Sequence, residues 1–150
     1  STGITDLMLA TAPVIDDILP AFLEFAGSDE ETIIVAHNAP FDLSFLKSAA
    51  KEIDLVWPNY KTLDTVTIAR QVLTKEDVPN CKLSTLAQFF GTKTEPNHRA
   101  LDDAKATTEI LHGLIERLGS FDVYDVDALM EFAKTAAHIQ RQNYWGLSST

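Results

Sequence analysis

Apolar and polar positions along the chain change period several times, and each change predicts an element. Ile15, Ile18, Leu19, Phe22 and Leu23 recur at helical spacing behind Pro13, which suits a first helical position, so a helix is expected over about 13–26. "GSDEE" reads as a turn. "TIIVAHN" (32–38) is a short β-branched apolar run and predicts a buried strand. Pro40 opens a second helix with Phe41, Phe45, Leu46, Ala49 and Ile53 on one face. "VWPNYKTLDT" holds an extended piece near 61–64 and leads into a helix with Val66, Ala69 and Leu73 inward. "TKEDVPNC" is a loop, "KLSTLAQFF" a short helix stopped by Gly91, and "TKTEPN" a polar loop. Residues 99–118 carry the clearest helical pattern, with Leu101, Ala104, Thr108, Leu111, Ile115 and Leu118 on one stripe and Gly119 ending it. A last helix covers about 125–140. Residues 1–12 look irregular, like the continuation of something.

Helices alternating with buried strands imply an α/β layer fold. Two strands make a poor sheet, since three or more are normally needed for stability. Strands are therefore missing either from this reading or from this chain.

Composition narrows the class. A chain of 150 residues with 45% hydrophobic content is one globular domain with a real core. The single cysteine, Cys81, excludes an internal disulfide and a cysteine-rich zinc site, and suits a reducing cytoplasm. No apolar run approaches the roughly 18 residues of a membrane span, and "STGITDLMLA" lacks the basic start and apolar core of a signal peptide. The net charge of −10 argues against binding nucleic acid by bulk electrostatics. It leaves open an enzyme that reaches nucleic acid through metal ions, which require clustered carboxylates.

Two places carry candidate chemistry. Asp42 lies in the first turn of a helix, beside the carboxyl end of a buried strand, where open α/β sheets place ligands. The helix dipole favours an aspartate there with no further role, so both readings stand. In "HRALDDAKAT" (98–107), Asp103 adjoins the apolar stripe and Asp102 lies about 100° round the axis. His98, five positions before Asp103, precedes the helix and folds back over its first turn in a metal-and-base reading: a carboxylate to bind metal, an imidazole to take a proton from water. The plainer reading is a polar loop histidine and two dipole-favoured acids.

The other histidines weigh less: His37 as a strand-end residue with a structural hydrogen bond, His112 on a solvated helix face, His138 with Lys134 and Arg141 in a mildly basic helix end. Phe22, Phe25, Phe41, Phe45, Phe89 and Phe90 read as mostly core. No serine or cysteine has the setting of a nucleophile elbow, and the six glycines form no phosphate-cradling loop.

Taken together, "HNAPFDLSFL" and "HRALDDAKAT" resemble the second and third motifs of the DEDDh 3′–5′ exonucleases, a family of ribonuclease H-like fold that includes the proofreading subunit of bacterial DNA polymerase III. Asn38, Phe41, Asp42, Phe45 and Leu46 match the second motif; His98, Ala100, Asp103 and Ala104 match the third. "TGIT" (2–5) resembles the segment after the family's third strand. A narrower likeness, through "VPNCKLSTLAQFF", "TEPNHRALDDAKAT" and "LHGLIERLGS", is to the exonuclease region of actinobacterial proteins that join such a domain to a UvrC-like GIY-YIG nuclease.

The resemblance implies two Mg²⁺ or Mn²⁺ ions about 4 Å apart, with Asp42 and Asp103 among their ligands. It implies His98 as general base, and Asn38 and Phe41 near the terminal nucleotide, with Phe41 available to pack on a base. An imidazole suits the base role because its ordinary pKa is about 6.5. The product would be a 5′ mononucleotide from a DNA 3′ end, released beside a polymerase or repair nuclease module. The family's first motif, an aspartate and a glutamate two apart on the first strand, has no counterpart in "TDLM" or "IDDI". The expectation is therefore an N-terminally truncated ribonuclease H-like fold without its first three strands, divided into an exonuclease region over 1–120 and a helical extension over 121–150. Half the metal cage would be lacking and the fragment inactive, with no ion necessarily bound. Its open sheet edge would favour a homo-oligomer. The competing readings are a non-catalytic interaction domain of the same fold and an RNA-directed exonuclease, since 2′-hydroxyl discrimination depends on pocket shape.

Overall fold

The computed structural model describes residues 12–142, and of residues 12–18 and 39–42 the backbone alone. "TGIT" at 2–5 and the side chains of Phe41 and Asp42 lie outside the described residues. The order of elements is α1 (Ala12–Ala26), β1 (Ile33–Ala36), α2 (Ala39–Glu52), β2 (Lys61–Asp64), α3 (Thr65–Val72), α4 (Leu83–Phe90), α5 (Ala100–Leu118), a 3₁₀ turn (Gly119–Phe121) and α6 (Val126–Gln140). Each expected helix and strand is present, within a few residues at its ends.

β1 and β2 pair in parallel, Ile33 opposite Lys61 and Ala36 opposite Asp64, with α2 as the crossover. Parallel pairing needs such a connection, because a tight turn cannot return the chain in the same direction. Both strands therefore end at the same level, and the loops leaving them lie side by side. The main core packs Leu63 with Ile68 and Val72 of α3, Leu86 of α4, and Ile110, Leu114 and Leu118 of α5. Leu129, Met130 and Phe132 of α6 lean on it, and the Gln140 amide donates to the Thr67 carbonyl at 2.8 Å. A smaller cluster joins α1 to α2 through Leu19, Leu46 and Ala50, with Phe22 stacked on Trp57 at 6.3 Å. No helix among the described residues is long and apolar enough to cross a membrane.

Three details correct the sequence reading. On α5 the buried stripe is Ala106, Thr107, Ile110, Leu114 and Leu118, while Leu101 and Ile115 are 41% and 45% exposed. The adjacent apolar pairs 110–111 and 114–115 leave the stripe uncertain by one residue, or about 100°, and packing on α3 and α4 decides it. On α2 the inward residues are Leu43, Leu46 and Ala50, and Phe45 is 40% exposed. The side facing α1 and Tyr60 differs from the side that aromatic size alone suggested. The phenylalanines are mostly not core: Phe25 is 81% exposed, and Phe22, Phe89 and Phe90 are partly buried rims of the clusters. Gly91 stops α4 in the left-handed conformation at φ 62°, whereas Gly119 keeps helical angles and passes α5 into the 3₁₀ turn.

Candidate active site at the strand ends

The chain leaves β1 through His37 and Asn38. Asn38 takes the left-handed conformation (φ 68°, ψ 50°), which asparagine tolerates better than most residues, and Pro40 sits in the first turn of α2. Asp64, at the end of β2, caps α3 by accepting the Val66 N–H at 2.9 Å. The same oxygen accepts the Asn38 N–H at 2.9 Å. One carboxylate thus ties together the turns that follow the two strands.

His37 is held at both ring nitrogens, 2.8 Å from the Thr65 hydroxyl at Nδ1 and 2.8 Å from the Cys81 carbonyl at Nε2. A carbonyl only accepts, so Nε2 carries the proton; in the neutral ring Nδ1 then accepts from the Thr65 hydroxyl. Burial lowers the His37 pKa and favours this neutral form, against a smaller upward pull from the Cys81 carbonyl. The expected structural hydrogen bond of His37 is present, twice over.

The loop from Thr92 to Arg99 is fastened to α5 at two points. Glu109 accepts the N–H groups of Lys93 at 2.8 Å and Thr94 at 3.1 Å, and the Lys93 bond is the main cause of its lowered pKa. Asp103 Oδ1 accepts the N–H groups of Asn97 at 3.1 Å and His98 at 3.3 Å. Asp102 receives the Asn97 side-chain amide at 2.8 Å. His98 has φ 66°, a conformation costly for a non-glycine residue and held here by these bonds. The histidine and Asp103 therefore do meet, through the backbone of one and the carboxylate of the other. The His98 imidazole makes no hydrogen bond among the described residues, and Asp103 Oδ2 accepts none. Rotating the α5 stripe keeps Asp103 over the buried face, since Ala106 and Thr107 follow it by three and four positions.

These parts converge on a cleft of about 310 Å³. His37, Asn38, Lys82, Ser84, His98 and Asp103 line it. Three of the five residues singled out from sequence are there; Asp42 and Phe41 are in the first turn of α2, with side chains outside the described residues. Lys82 and Ser84 carried no sequence signal, since only the fold brings "KLS" opposite His98. A wider groove, about 940 Å³ between α2 and α6 along β2, is lined by charged side chains, among them Lys47, Lys61, Asp64 and Glu131, but contains none of the five.

The oxygen donors of Asp103 and Asp42 suit a hard divalent cation in kind. Among the described residues, which leave out the Asp42 side chain, no group of three or more His, Cys, Asp or Glu side chains is placed to hold a metal. Cys81 adds nothing, because burial pushes its thiol up to about 11.

The profile of the exonuclease family (RNase T type) matches residues 1–111. A Mycobacterium tuberculosis protein named a bifunctional exonuclease/endonuclease is 44% identical over 140 residues, covering 93% of this chain and 21% of that protein. A PolC-type DNA polymerase III of Caldanaerobacter subterraneus is 44% identical over 85% of this chain and 9% of its own. The DNA polymerase III epsilon subunit of Aquifex aeolicus is 35% identical over 85% of this chain and 63% of its own. No solved structure matches. The chain thus spans about a fifth of the mycobacterial relative and less than two thirds of the epsilon subunit. A profile covering both the β1–α2 turn and the His98–Asp103 segment, and an α/β fold that joins them in one cleft, lead to one conclusion: the chain belongs to the exonuclease family.

Proposed function

We propose that the cleft at the strand ends is part of a 3′–5′ exonuclease site that releases 5′ mononucleotides from a DNA 3′ end. The observation that carries this reading is the convergence of Asn38, His98 and Asp103. Water attacks the terminal phosphorus, the bond to the 3′ oxygen of the penultimate nucleotide breaks, and that oxygen takes up a proton. His98, with its ring free of other partners, accepts the proton of the attacking water. Asn38 and Phe41 hold the terminal nucleotide. Asp42 and Asp103 are two ligands for divalent ions, whose chemistry when bound is to lower the pKa of water and neutralise phosphate charge. Their names favour DNA, since two of the relatives are DNA polymerase III components. The site accordingly works beside a polymerase or repair nuclease in the cytoplasm. Residues 1–120 form the nuclease region and 121–150 a helical extension. Two carboxylates are too few to fix two ions, so the 150 residues alone release no mononucleotide.

The test uses a 5′-labelled single-stranded oligonucleotide and a protein that supplies the full carboxylate set. Stepwise shortening from the 3′ end is expected, lowered by about 10²-fold or more in His98→Ala and in Asp103→Ala. Products that start from the 5′ end, or a His98→Ala variant as fast as its parent, would refute the assignment. Rapid turnover by the 150-residue chain itself would refute the count of ligands.

A further inference from the structure

We infer that His37 is a positioning residue that fixes one wall of the cleft against the other. The inference rests on the nuclease reading of the cleft and assigns a role to a side chain which that reading leaves idle. His37 follows the last residue of β1, one residue before Asn38, and is among the residues that line the cleft. Its Nε2 is 2.8 Å from the carbonyl of Cys81, which immediately precedes Lys82 and lies three positions before Ser84. Its Nδ1 is 2.8 Å from Thr65, the first residue of α3. The wall that presents Asn38 and the first turn of α2 comes from β1. The wall that presents Lys82 and Ser84 comes from the loop ahead of α4. Sequence separates them by 44 positions at this bond, and no strand pairing joins them.

The held wall is worth placing. Lys82 takes part in no ion pair among the described residues, so its ammonium is available to a phosphate, in a chain of net charge −10. Releasing the Cys81 carbonyl lets this loop move away from Asn38, His98 and Asp103. The cleft then loses its grip on a nucleotide even though the core remains intact.

Two substitutions separate positioning from plain stability. In His37→Asn the side-chain amide occupies the place of Nδ1 and reaches Thr65 only. In His37→Gln it extends to the place of Nε2 and reaches the Cys81 carbonyl. Thymidine 5′-monophosphate is titrated against the 150-residue chain and both variants, following backbone amide signals, with melting temperatures measured alongside. The nucleotide is expected to move the Lys82, Ser84 and His98 signals in the unsubstituted chain. His37→Gln should bind it nearly as well, and His37→Asn about tenfold more weakly, the scale of one buried hydrogen bond lost, at similar melting temperatures. Thr65→Val, which removes the other partner, should bind as the parent does and serves if a histidine variant fails to fold. Equal binding by His37→Asn and the parent would overturn the inference. So would equal weakening in both histidine variants in step with their melting temperatures, or weakened binding in Thr65→Val. If the nucleotide leaves the cleft signals of the unsubstituted chain unmoved, the nuclease reading falls, and this inference with it.

Discussion

Asp102 and Asp103 differ by one position and by what they hold. Asp103 accepts two backbone N–H groups and orders the chain at His98; Asp102 accepts one side-chain amide. Asp103→Ala is therefore expected to speed amide exchange at Asn97 and His98, whereas Asp102→Ala leaves both nearly as protected. Equal exchange in the two variants would show that the loop is held by something else. The same loop depends on Glu109, whose carboxylate bonds to Lys93 and Thr94 vanish in Glu109→Ala. At Cys81 the buried thiol, with a pKa near 11, carries a thiolate fraction of only about 10⁻⁴ at neutral pH. Iodoacetamide should modify it no faster than the chain unfolds, and rapid labelling of the folded chain would contradict the packing around it.

Packing between α4 and α5 is where one glycine matters. A Cβ placed on Gly113 would lie 2.4 Å from Cδ1 of Phe90 and 2.9 Å from its Cγ, so the whole ring would have to move. Phe90 is not free to do so, because it sits edge-on to Phe89 at 5.0 Å and Arg117 lies over both rings. Overpacking typically costs about 1–3 kcal/mol, against a helix-propensity gain of up to about 1 kcal/mol for alanine. Gly113→Ala should thus lower stability by roughly 1–2 kcal/mol by these figures, and a rise in the urea midpoint would contradict the contact. Leu114, one position on and fully buried, should cost about 2–5 kcal/mol as Leu114→Ala. Ile115→Ala at the exposed neighbour should cost far less; reversal of that order would restore the stripe that sequence periodicity predicts.

For the molecule as a whole, pH acts through groups whose protons differ between folded and unfolded chains. His37 has a lowered folded pKa, so the folded state prefers its neutral ring. Its contribution is complete above about pH 6.5, the unfolded value, and is lost as pH falls from there toward the folded value. Glu109 and Asp77 are also lowered, each mainly by a backbone N–H that its carboxylate accepts. Their contribution is present above the ordinary carboxylate range near 4 and lost below it. Stability measured by urea midpoint should therefore fall in two steps on acidification, and His37→Gln should flatten the upper one. A single step confined to pH below about 5 would mean that His37 is not held neutral. The edge of β1 away from β2 meets no strand among the described residues, and Val35 on it is 36% exposed. Such edges invite pairing. Sedimentation at rising concentration should show self-association, and a strict monomer would argue that this edge is covered.

Much of this protein was legible as sequence, and for a local reason. Helix starts, glycine stops and β-branched runs are set by backbone sterics and by groups a few residues apart, so the elements could be read off directly. Asn38, Asp42, His98 and Asp103 stood out only through the resemblance of their two segments to the exonuclease motifs, since an acid in a first helical turn is by itself equally a dipole-favoured residue. The faces of α2 and α5 could not be read, because apolar residues flank both sides of each helix and only the partner surface selects between them. Nor could the partners of His37, or the placing of Lys82 and Ser84 in the cleft. These depend on hydrogen bonds across 28 and 44 positions of chain and on two parallel strands ending at one level, and contacts of that range exist only once the chain has folded.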